Sequence, residues 1–108
     1  MKRYTTSAIA LAAALFAAQP ALSQEIKVGL SGTFTGGNAT NGIPYRNAAE
    51  VFPKTLGGVP VRWILLDDAT DPTTAVKNAR KFVDEDKVDI ILGSTSTITA
   101  TAMSDSPI

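Results

Sequence analysis

The chain has 108 residues, 44% of them hydrophobic and 19% charged, and its ten basic and ten acidic side chains leave it formally neutral. That balance carries no nucleic-acid footprint and no basic membrane-binding face. Histidine and cysteine are both absent, which excludes a Ser-His-Asp triad, a Cys-His pair, an ordinary zinc site and a disulfide framework within these residues.

The first element is an export signal. Lys2 and Arg3 supply the positive start, Ala8 to Ala18 form an apolar run, Pro20 breaks it, and Ala21-Leu22-Ser23 offers small residues where a signal peptidase reads. The run is about half the ~20 residues needed to span a bilayer, so a cleaved signal is expected rather than an anchor. Cleavage between Ser23 and Gln24 removes Lys2 and Arg3 and leaves two more acidic than basic residues. A lipid anchor requires a cysteine at that point, so the mature chain is expected to be untethered. Without disulfides in an oxidising compartment, it must rely on a packed core.

Beyond the signal, Ile26, Val28 and Leu30 alternate with Lys27, Gly29 and Ser31, which predicts a first strand. Residues 31–42, rich in Gly, Ser, Thr and Asn, predict a loop. A short helix is expected from Pro44 to Phe52, with Ala48, Ala49 and Phe52 toward a sheet and Pro53 as its stop. Gly57-Gly58 then turns the chain into Val59–Leu66, whose apolar run suits a strand covered on both faces. Pro60 marks an edge strand or an early, unpaired position. Asp71-Pro72 is a strong helix start, because the carboxylate accepts from free backbone donors and proline suits the first helical position. Ala75, Val76, Ala79, Phe82 and Val83 follow at helical spacing, with Lys77, Arg80 and Lys81 opposite or flanking. Val88–Leu92 predicts a third strand that ends at Gly93. Residues 94–103 open a further helix, although threonine is a poor helix former and 97–102 alternates well enough for a strand.

This β-α-β-α-β order implies an α/β fold, a doubly wound parallel sheet with right-handed crossovers. Only the first portion of such a sheet is expected in residues 24–108, which read as an incomplete lobe of a larger protein.

Two loops leave the carboxyl ends of strands, residues 31–42 and Gly93–Thr97, and such loops hold small ligands in open α/β sheets. In the second, Thr95, Ser96 and Thr97 combine hydroxyls with free N–H groups at a helix start, a position that favours a carboxylate. Ser96 and Thr97 are the leading ligand contacts; the alternative is that one is simply the helix cap. Asp67 and Asp68 are adjacent, so they point to opposite sides of the strand and cannot act as a close acid-base pair. Solvation, capping or contact with the neighbouring loop suits them better. Asp84-Glu85-Asp86 with Asp89 lacks the glycine of a calcium loop and reads as a solvated face. The glycines match neither G-x-G-x-x-G nor a phosphate-binding loop. No cofactor, metal or catalytic residue is expected. Trp63 and Phe82 sit in core patterns.

Ile26-Lys27-Val28-Gly29 leading into Gly32-Thr33-Phe34-Thr35-Gly36 and Asn47-Ala48-Ala49-Glu50 resembles the start of type I periplasmic solute-binding proteins of ABC transporters. The leucine/isoleucine/valine-binding family is the most similar group. Leu66–Pro72, Ala75-Val76, Ala79–Val83 and Val88–Gly93 continue the likeness across residues 25–103. The resemblance implies two lobes closing on a small solute, an amino acid or a related compound. It implies a periplasmic location, an inner-membrane permease as partner, a monomeric state and no enzymatic activity. An exported sensor domain or an α/β enzyme on a similar sheet is the alternative. It also implies that Ser96 and Thr97 hold the solute's α-carboxylate or ammonium group. The place where the first loop often presents an aromatic falls at Asn41, and the first helix is short and interrupted by Pro53. Those departures open the ligand class to amides, urea-like compounds and aromatic acids.

Overall fold

The structure is a computed structural model that describes residues 24–108. The expected signal segment, including Ser23, lies outside the described residues, and Gln24 is exposed. Strand β1 (Ile26–Gly32) is followed by helix α1 (Ala39–Ala48) with a 3-10 turn over Ala49–Val51. Next come β2 (Thr55–Leu56), β3 (Val59–Asp67), helix α2 (Pro72–Lys81) and a π-helical turn over Phe82–Asp86. Strand β4 (Ile90–Leu92) and helix α3 (Thr97–Ser104) complete the order.

The four strands lie in the order β2-β3-β1-β4. β1 pairs in parallel with β3, Gly29 opposite Ile64, and with β4, Gly29 opposite Ile91. The α/β parallel sheet expected from the sequence is therefore present, with its three carboxyl ends side by side. β2 is an antiparallel addition that the sequence pattern did not predict. Gly57 and Gly58 both take positive φ, the geometry of a two-residue hairpin turn, so Leu56 and Val59 pair across it. Pro60 faces only this short strand and precedes the first parallel partner, Val61, the early position expected of it.

Adjacent strand residues point to opposite faces, and this places the helices. On one face Gly29 lies against the buried Phe82 ring, and Ile91 packs on the cluster of Ala75, Ala79 and Met103 that joins α2 to α3. On the other face Leu30 and Leu92 share a cleft with Ala48 and Phe52. The connections before and after β3 thus run over opposite faces, the doubly wound arrangement. β3 itself is only half-buried, with no fully buried residue. The expectation of a strand covered on both faces is not met among the described residues.

Helix α1 starts five residues before Pro44, inside the segment expected to be a loop, and Pro44 lies within the helix. Its beginning is a tight turn, Ala39 N–H to Gly36 O and Asn41 N–H to Asn38 O. Pro44 cannot donate to the carbonyl one turn back, that of the exposed Thr40, which water can serve. Ala48 is exposed rather than packed on the sheet, while Phe52 is half-buried and meets Trp63 in a tilted ring contact, centroids 4.6 Å apart. Phe52 is extended before Pro53, so the proline ends the helical run as expected.

α2 starts as predicted: Pro72 is its first residue and Asp71 accepts from Thr74 N–H at 2.8 Å. Lys81 donates to both Asp86 oxygens at 2.9 Å and clamps the π turn. Val88 N–H turns back to Phe82 O, so β4 starts at Ile90 rather than Val88. Between the two alternatives for the last segment, the helix is formed. Thr99 is buried in it, with its hydroxyl 3.1 Å from Ser96 O within its own turn.

Candidate functional site

The carboxyl ends of β1, β3 and β4 are tied into one platform by short polar side chains. Asp67, at the end of β3, organises the loop after β1. It accepts from Phe34 N–H at 2.9 Å, Thr35 N–H at 3.2 Å and the Thr35 hydroxyl at 2.6 Å, and from Ala69 N–H at 2.9 Å. Partial burial opposes its ionisation, but the Thr35 hydroxyl and the backbone donors of Ala69, Phe34 and Thr35 prevail and hold its carboxyl below the usual range. Thr70 completes the join, donating to Thr35 O at 3.2 Å and accepting from Asn38 N–H at 3.1 Å.

Asp68 points the other way and is fully buried. It accepts from the Thr33 hydroxyl at 2.7 Å, from Thr70 N–H at 3.0 Å and from the Ser94 hydroxyl. The two acids thus point apart: both hold the loop after β1, and Asp68 alone reaches Ser94 after β4, the loop-contact role expected over an acid-base pair. Among the described residues no group of three or more His, Cys, Asp or Glu side chains could hold a metal ion. Asp86 is engaged by Lys81, and Asp89 accepts from Lys27 N–H at 2.8 Å.

The predicted site residues divide into two groups. Thr95 and Ser96 are built into the platform: Thr95 Oγ1 accepts from Thr33 N–H at 3.1 Å, and Ser96 Oγ accepts from Asn38 Nδ2 at 3.3 Å. Ser96 is the N-cap residue of α3, yet its side chain makes no capping hydrogen bond. Thr97, the first residue of α3, is exposed. The N–H groups of the first helical turn have no intrahelical partner, so this end of α3 retains free donors beside the Ser96 hydroxyl. Asn41 is exposed in the first turn of α1 and makes no side-chain hydrogen bond to the Thr95–Thr97 loop among the described residues.

One turn beyond Asn41, Tyr45 is 55% exposed and borders a cleft of about 460 Å³. Its walls are Leu30, Ala48, Phe52 and Leu92, and Ser94 and Thr95 close one end. The cleft therefore has an apolar body and a hydroxyl rim. Sequence reasoning missed Thr33, Asn38 and Ser94 as structural members of the platform, and missed Tyr45. The spacing of four between Asn41 and Tyr45 was the available signal for the last, once the helix is known to start at Ala39.

Gly42 sets how closely α1 approaches this platform. A β-carbon there would overlap the Thr33 carbonyl and crowd Thr95 Oγ1. The glycine is needed for contact, and it holds α1 against the two loops that carry the hydroxyls.

Comparison with known proteins agrees with the α/β fold. The family described as periplasmic binding protein matches residues 25–106. A curated amino acid binding protein from Pseudomonas aeruginosa is 32% identical over 90 residues, covering 75% of this chain and 24% of that protein. The crystal structure of an extracellular ligand-binding receptor from Rhodopseudomonas palustris HaA2 superposes with a TM-score of 0.72 at 51% identity, covering 75% of this chain and 23% of that one. A solute binding protein of an ABC transporter from Rhodopseudomonas palustris BisB5, solved in complex with 3,4-dihydroxybenzoic acid, matches with a TM-score of 0.66 at 34% identity. There the coverage is 72% of this chain and 23% of the other. The chain spans about a quarter of the length of these relatives.

Proposed function

From the premise that the chain belongs to the periplasmic binding protein family, we propose that it forms part of a periplasmic substrate-binding component of an ABC transporter. The component captures a small carboxylate, an amino acid or a related compound, between two lobes and delivers it to an inner-membrane permease. It acts as a soluble monomer released by cleavage between Ser23 and Gln24. The observation that carries this reading is the uncapped start of α3. Ser96 stands at the N-cap with its hydroxyl unused for capping, and Thr97 is exposed beside it. Free N–H groups at a helix N-terminus, together with the positive end of the helix dipole, favour a carboxylate. Thr95 and Ser96 then orient it. Histidine and cysteine are absent, so neither a Ser-His-Asp triad nor a Cys-His pair can be assembled from these residues.

The ligand's side chain is read by the surface beneath. The apolar walls of the cleft and the Tyr45 ring suit a branched aliphatic or an aromatic group. The relative bound to 3,4-dihydroxybenzoic acid supports including aromatic acids beside amino acids. A thermal-shift screen of the full-length protein against L-amino acids, their amides and hydroxybenzoates tests the proposal. One class should stabilise the protein by about 2–3 kcal/mol at a hundredfold excess over its Kd. Removal of the Ser96 and Thr97 hydroxyls (Ser96→Ala, Thr97→Val) should weaken that binding. Turnover of a compound, with no stabilisation by any, would overturn the carrier role in favour of an enzyme.

A further inference from the structure

Asp68 is a fully buried carboxyl group that the binding scheme does not use directly. The ion pairs among the described residues involve Lys81 alone as cation. Asp68 is held instead by neutral donors, the Thr33 and Ser94 hydroxyls and Thr70 N–H. Buried polar groups of this kind are costly to maintain unless fully hydrogen-bonded. The arrangement has a directional consequence. As a carboxylate Asp68 only accepts, so the Ser94 proton points at it, and the Ser94 oxygen keeps its two lone pairs for other donors. Those lone pairs face the Thr99 hydroxyl at 2.6 Å and Ser96 N–H at 3.3 Å. Both partners belong to the first turn of α3 or its cap. The side chain just past β3 thereby fixes the start of α3 through the oxygen of Ser94, 26 residues away in the chain.

We propose that Asp68 is a positioning residue for solute binding. It sets the direction of the Ser94 hydroxyl, and Ser94 in turn holds the Ser96 backbone and the start of α3 in the orientation that receives the carboxylate. The inference rests on the reading of this crevice as the solute site. An asparagine at Asp68 keeps the shape but brings an amide donor. Facing Ser94, that amide takes one of the oxygen's lone pairs, reverses the Ser94 proton and competes with Ser96 N–H. Ser94→Ala removes the relay atom and leaves Asp68 its other two donors.

The test has two arms on the full-length protein, comparing Asp68→Asn and Ser94→Ala with Asn78→Ala. Asn78 is a buried residue of α2 that donates to Asp67 O at 3.0 Å and serves as a purely structural comparison. In the first arm, amide hydrogen exchange is followed by NMR without ligand. Both site variants should speed exchange at Ser96 about five- to tenfold while Ala79 in α2 stays near its native rate. Asn78→Ala should show the opposite pattern. Unchanged exchange at Ser96, or equal acceleration at Ser96 and Ala79, would overturn the proposal. Where Asp68→Asn fails to fold, Ser94→Ala alone decides this arm. In the second arm, calorimetry with leucine and with 3,4-dihydroxybenzoate should give affinities about tenfold weaker for the site variants and native for Asn78→Ala. Failure of every compound in the solute screen to bind the native protein removes the proposed function, while the exchange arm still judges Asp68.

Discussion

Individual side chains at this platform act through hydrogen bonds from neutral donors rather than through ion pairs. Asp67 is the clearest case, with four donors from two loops around one carboxylate. Because its folded pKa lies below the ordinary value of 3.8, its contribution is complete above that value and is lost as pH falls through the lower, folded value. Asp67→Asn should therefore destabilise the protein by about 1 kcal/mol at neutral pH, where the charged acceptor is lost. The gap between native and variant should narrow in urea melts as the pH is taken below 3.8 and the lowered carboxyl is protonated. A gap that stayed constant across that range would sever Asp67 from the acid dependence. Asp71 is lowered in the same direction, chiefly by the Thr74 hydroxyl, so some acid sensitivity persists in the variant.

At the scale of elements, two close approaches decide how helices sit on the sheet. α2 runs into the π turn that carries Phe82, and the buried ring lies over Gly29 of β1 with no room for a side chain. An alanine β-carbon at Gly29 would lie 2.7 Å from the ring. Gly29→Ala should accordingly cost about 1–3 kcal/mol through displacement of Phe82 from its packed rotamer. Chemical denaturation measures this directly, and a neutral effect would mean that the π turn yields more easily than its Lys81–Asp86 clamp suggests. The start of α1 illustrates why helix boundaries resist reading from sequence. The Gly- and Asn-rich stretch over 36–42 carries local turn signals, and Pro44 resembles a helix start. Docking of Gly42 against the Thr33 carbonyl instead favours a helix that begins earlier and tolerates the proline. Asp71-Pro72 was legible because both of its signals, a capping carboxylate and a proline at the first position, act within one turn.

For the molecule as a whole, burial is uneven. The face carrying α2 and α3 holds the cluster of Ala75, Ala79 and Met103, whereas the opposite face leaves an apolar cleft and β4 leaves Ile90 and Leu92 exposed. A small apolar core with exposed strand residues stabilises an isolated domain weakly. Residues 24–108 expressed alone should therefore melt over a broad range and bind a hydrophobic dye in scanning calorimetry and fluorescence. A sharp cooperative transition without dye binding would show that they form a complete folding unit. Strand alternation, the Asp71-Pro72 start and the hydroxyl-rich loop after the third strand were all readable in the sequence. Each depends on contacts within a turn or on the two-residue period of a strand, and together they determined the parallel α/β order and marked Thr95, Ser96 and Thr97. Tertiary structure alone decided the rest: which way Asp67 and Asp68 point, the earlier start of α1, and the meeting of Thr33, Asp68 and Ser94. Hydrogen bonds across 26 to 35 residues of sequence carry those features, and such bonds exist only once the register of β1, β3 and β4 has brought their carboxyl ends together.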